Sequence, residues 1–118
     1  MERKYQQLKV WQESMLLAEE VYRAIQDLPA SERFGLADQL RRASVSIPSN
    51  IAEGAGRGSD RELVRFLQIA KGSLQEVETQ LLLCSRLTLL PSTDHLFETT
   101  NRVFALLTAF INRLKQNL

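Results

Sequence analysis

Cysteine occurs once in the 118 residues, at Cys84, which excludes an intramolecular disulfide and any multi-cysteine zinc site. A lone thiol fits a reducing compartment, so the expected location is cytoplasmic. Histidine also occurs once, as His95, so any nucleophilic serine has a single candidate base. Glycine (5) and proline (3) are too scarce for a disordered or low-complexity chain. No excess of one charge sign exists either. With 15 Lys and Arg against 14 Asp and Glu, the net charge is +1, and only a local patch can argue for nucleic acid. Long apolar runs are missing too. The opening MERKYQQLKVWQE holds no signal-peptide core, and LLLCSRLTLL is broken by Arg86 and stopped at Pro91. No membrane association is expected.

What the chain does have is helical periodicity throughout, with 44% apolar and 25% charged residues, the mixture of one globular domain spanning 1–118. Leu8, Trp11, Met15, Ala18, Tyr22 and Ile25 recur at steps of three and four, and the Leu28-Pro29 step ends this first helix. A second seam runs through Leu36, Leu40, Ala43, Ile47 and Ile51 and dissolves at Gly54, Gly56 and Gly58. Ser59 to Glu62 reads as a capping box that opens a third helix of about 28 residues, with Leu63, Leu67, Ala70, Leu74, Val77, Leu81 and Cys84 as its seam. Pro91 stops that helix. Ser92 or Thr93 caps a fourth, whose seam is Leu96, Thr100, Val103, Leu107, Phe110 and Leu114. Four amphipathic helices with short connections predict an all-α, antiparallel up-down-up-down four-helix bundle.

The helices carry more apolar surface than one core requires. Phe97, Phe104, Ile111 and Leu118 repeat every seven residues beside the main seam of the fourth helix. Phe66, Ile69, Leu82 and Leu83 widen the third. Two such rows cover about half a helix circumference, against a stripe of roughly 100° for a single core. Phe66, Ile69, Phe97, Phe104 and Ile111 are therefore the candidates for a homo-oligomer interface.

The segment VSIPSNIAEGAGRGS, residues 45–59, raises the question of a site. A nucleophilic serine needs a base oriented by a carboxylate, and nothing in the spacing brings His95 to Ser44, Ser46 or Ser49. Glycine-rich phosphate loops follow a strand, whereas a helix precedes this one. The segment reads instead as a structural joint. Pro48 removes a backbone N–H and is expected to kink the second helix, while Ser44, Ser49 and Asn50 are short polar side chains able to satisfy the freed backbone groups. Continuing the period puts Asn50 and Gly54 on the core side, where Gly54 admits a neighbouring helix closely. Asp94, His95 and Glu98 lack the E-x-x-H motifs of a di-metal bundle, and no metal or cofactor is expected. No catalytic residue emerges.

Basic residues gather in the middle of the chain. Arg57, Arg61 and Arg65 are spaced four apart, Arg41 and Arg42 point away from the second seam, and Lys71 follows. Such a run makes either a solvated, ion-paired face or a set of phosphate contacts for structured RNA.

Four pieces carry a family likeness: Glu32-Arg33-Phe34-Gly35-Leu36, Gln39-Leu40-Arg41-Arg42-Ala43, Ser46-Ile47-Pro48-Ser49-Asn50-Ile51-Ala52-Glu53-Gly54 and Ala70-Lys71-Gly72-Ser73-Leu74. With Trp11 and the Val21-Tyr22 pair, they make the chain resemble bacterial four-helix-bundle proteins encoded in intervening sequences of 23S ribosomal RNA genes. The resemblance implies a non-enzymatic, ring-like homopentamer. Its genomic setting points to ribosomal RNA. Similar bundles include the accessory proteins of diversity-generating retroelements, which bind a reverse transcriptase and nucleic acid through a basic face. Two functions stay open: an oligomer that contacts structured RNA through Arg41, Arg42, Arg57, Arg61, Arg65 and Lys71, and an oligomeric adaptor or scaffold for a protein partner without RNA affinity.

Overall fold

All four apolar seams become helices. The computed structural model describes residues 1–118, with α1 (Lys9–Ile25), α2 (Leu36–Ala55), α3 (Asp60–Arg86) and α4 (Asp94–Lys115), and short 3-10 turns at Lys4–Gln7 and Ala30–Glu32. The helices adjoin in the cyclic order α1, α2, α3, α4 and back to α1, with the diagonal pairs apart. Alternating direction is visible in the cross-helix pairs. Gln39 meets Gln80 while Ser46 meets Ser73, so α2 and α3 run in opposite senses. Arg102 of α4 reaches Glu13 of α1 at 3.5 Å. The bundle measures 46 × 28 × 20 Å.

The seam of α2 buries Leu36, Leu40, Ala43, Ile47 and Ile51, and α2 continues through Pro48 to Ala55. On α3, Leu67, Ala70, Leu74, Val77, Leu81 and Cys84 are buried. Burying a Leu or Ile side chain is worth about 1.5–3 kcal/mol, and these two rows supply 11 of the 23 residues of the core.

Four local expectations are corrected. On α1 the buried row is Val10, Ser14, Leu17, Ala18 and Val21, one residue out of step with the expected seam. Ser14 disguises it: a serine at a core position reads as polar, yet its hydroxyl donates to the Trp11 carbonyl at 2.8 Å and is satisfied. Trp11, Met15 and Tyr22 are left at the margin. At the start of α3, Ser59 Oγ accepts from the Glu62 N–H at 3.2 Å, but the Glu62 carboxylate turns to Arg65 instead of closing a capping box. The helix then ends at Arg86, short of Pro91. Thr88 takes a left-handed φ of 54°, and the Leu89 N–H bonds back to the Cys84 carbonyl at 2.9 Å, the pattern of a Schellman stop. At the start of α4, Thr93 holds the cap position without a side-chain cap bond.

The surplus rows are also partly absorbed. Phe66 and Ile111, at 6% and 3% exposure, are buried within the single chain and offer no free surface to a partner. Phe97 and Phe104 are half-buried against the core. Ile111 is buried where Phe110 was expected, and Phe110 is half-buried against the core.

Candidate functional site

The Pro48 segment is held by polar contacts across the α2–α3 seam. Asn50 Nδ2 donates to the Ser46 carbonyl at 2.8 Å and to Ser46 Oγ at 2.9 Å. Ser46 Oγ in turn lies 2.9 Å from Ser73 Oγ on α3. Ser44 is fully buried, and its hydroxyl donates to the Arg41 carbonyl at 3.1 Å. Ser49 is exposed and makes no such bond; it faces the surface beside α1. These hydroxyls serve backbone and inter-helix bonding, and none faces His95, which is exposed at the start of α4.

One turn further on, α2 and α3 nearly touch. A Cβ on Gly54 would lie 2.6 Å from the Cβ of Phe66. The Phe66 ring is flanked by two guanidiniums, with Arg57 at 4.9 Å and Arg65 at 4.5 Å from its centroid.

The six basic candidates do not form one open patch. Asp38 accepts from both Arg41 and Arg42. Glu53 holds Arg57 at 2.7 Å, and Glu62 holds Arg65 at 2.9 Å. Arg57 precedes α3 rather than lying on it. Of the six, only Arg61 and Lys71 take part in none of the chain's ion pairs, so these two are the most available to an anionic partner. The hydrogen bond from Arg65 holds the Glu62 carboxyl below its usual range; the charges of Arg65 and Arg57 add to this, against some desolvation. Burial raises the Cys84 thiol, and Glu32 adds to the rise, so Cys84 is a protonated core residue at neutral pH.

A groove absent from the sequence reading lies between α1 and α2. Trp11, Met15, Ala18 and Tyr22 form one wall. Val45, Pro48, Ser49 and Ala52 form the other, and the groove encloses about 620 Å³. Its α1 wall is the row Trp11, Met15, Ala18 and Tyr22 that the periodicity assigned to the core.

On one face of α3 two apolar side chains point outward, separated by Gly72, Glu76, Thr79 and Gln80. Ile69 and Leu83 are 43% and 44% exposed, and between them Gly72 has nothing within 4 Å of a would-be Cβ. No helix of the protein is long and apolar enough to cross a membrane. No curated protein matches the chain. The family model described as 23S rRNA-intervening sequence protein matches residues 6–109, and the chain belongs to that family.

Proposed function

We propose that the protein is a non-enzymatic, cytoplasmic homo-oligomeric scaffold that assembles through the outer face of α3 and holds a protein partner on the rest of its surface. Gly72 carries this reading. An exposed glycine inside a helix costs about 0.5–1 kcal/mol relative to alanine, and no contact within the chain repays that cost. Ile69 lies one turn before it and is exposed, so a neighbouring copy's helix can approach the bare backbone and cover that side chain. A ring-like homopentamer is the stoichiometry that the family resemblance supplies.

Light scattering tests it. Wild type is expected at several times the chain mass of 13.5 kDa. Gly72→Arg is expected to shift toward the monomer with unchanged helicity, because the added side chain meets open space within its own chain. A wild-type monomer at micromolar concentration refutes the proposal.

A second reading, association with structured RNA, is favoured by Arg61 and Lys71 lacking carboxylate partners and by the family's link to 23S rRNA. Phosphate contacts position a backbone and weaken steeply with salt. In a gel-shift titration with structured ribosomal RNA at two salt concentrations, Arg61→Glu with Lys71→Glu should abolish the complex. Absence of binding at low salt, or indifference to the double variant, removes this reading.

A further inference from the structure

We propose that the α1–α2 groove receives an amphipathic helix of a partner protein, apolar along its length and acidic at the end lying over Arg33 and Arg41. The inference rests on the scaffold reading and names the kind of partner held. Three observations carry it.

The first is shape. Along α1 the wall residues fall at i, i+4, i+7 and i+11, from Trp11 to Tyr22. That span is about 16 Å, or three turns, the length over which a docked helix presents its own i, i+4 and i+7 anchors. The second is chemistry. Met15, Tyr22 and Val45 are exposed large apolar residues, and Trp11 is only half-buried, so the chain leaves both walls of the groove uncovered. Aromatic and methionine side chains of this kind are enriched where a partner docks.

The third is charge. The groove continues past Tyr22 into two further depressions that share Tyr22 and Arg41, extending it to the turn after α1. Its charged lining comprises Arg23, Arg33, Arg41 and Arg42 against the carboxylates of Glu19 and Asp38, an excess of positive charge confined to that end. Arg33 has no carboxylate partner and stacks on Phe34, 85% exposed, at 5.2 Å. An acidic end on the incoming helix complements these guanidiniums, and a basic end is repelled. The chain's own outward α3 face is a poorer occupant, because Glu76, Thr79 and Gln80 interrupt it between Gly72 and Leu83.

The test uses a fluorescein-labelled helical peptide of about four turns, with Leu and Phe at i, i+4 and i+7 and glutamates at one end, titrated with full-length protein. Saturable binding is expected, weakened by salt and at least tenfold weaker when lysines replace the glutamates. Val45→Glu should weaken it by a further factor of about ten by placing a carboxylate on the α2 wall. Equal binding of the acidic and basic peptides, or no effect of Val45→Glu, overturns the inference. Light scattering on the same samples separates the two proposals. If the wild type is oligomeric and binds no peptide, the groove inference fails and the assembly stands. If Val45→Glu itself dissociates the oligomer, the groove's occupant is a second copy and the inference also fails. A monomer that binds the acidic peptide refutes the assembly alone.

Discussion

Replacing Gly54 by alanine adds one methyl group at the closest approach of α2 and α3. Its carbon would stand 2.6 Å from Phe66 Cβ, 3.2 Å from Leu63 Cδ1 and 3.4 Å from the Leu63 carbonyl oxygen. Carbon–carbon contacts settle at roughly 3.5–4.0 Å, so the helices must part locally by about 1 Å. Side-chain rotation gives no relief, because Phe66 Cβ is fixed to its backbone and its ring is held between Arg57 and Arg65. Overpacking of this kind costs about 1–3 kcal/mol. The better helix propensity of alanine offsets roughly 0.5–1 kcal/mol. The expected net loss is about 1–2 kcal/mol, read as a lowered urea midpoint at unchanged slope and fixed protein concentration. Gly56→Ala is the control. There a Cβ meets only the Glu53 and Ala52 carbonyls, at 3.6 and 3.8 Å, so its midpoint should stay close to wild type. A Gly54→Ala protein as stable as wild type would refute the argument from close approach.

Asn50→Leu removes both bonds to Ser46 and should cost about 1–2 kcal/mol in the same titration while leaving helicity intact; an unchanged midpoint counts against the bridge. Thr88→Gly relieves a β-branched residue at φ 54° and should raise stability by about 0.5–1 kcal/mol, whereas a loss would mean the threonine side chain has a role of its own. Cys84 should resist alkylation in the native protein and react once unfolded. Because folding raises its pKa, its contribution to stability is fully present below the unfolded thiol's pKa and declines as pH rises through the folded value. Cys84→Ala should flatten stability on the alkaline side, and a curve of unchanged shape would exclude the thiol as its source.

The α2 and α3 seams were legible because nearly every core position on them is aliphatic or alanine. The α1 seam was misread for a local reason: Ser14 stands at a core position, while Trp11, Met15 and Tyr22, all large and apolar, stand at the margin. A binary pattern counts the wrong row when the core accepts a satisfied hydroxyl. The pairing of the basic residues was within reach, since Asp38, Glu53 and Glu62 lie three or four residues from their arginines, the helical contact spacing. The end of α3 was not, because a left-handed threonine gives no turn signal of the kind glycine gives.

Trp11 is the chain's single tryptophan, and it sits half-buried on the groove wall with Tyr5 edge-on at 5.4 Å. Its indole emission therefore samples one side of the molecule and not the interior. An occupant that displaces water from that wall should shift the emission to the blue while the helical signal stays constant, whereas unfolding should shift it to the red as the helical signal falls. One natural fluorophore thus reports docking and denaturation as changes of opposite sign, without a label.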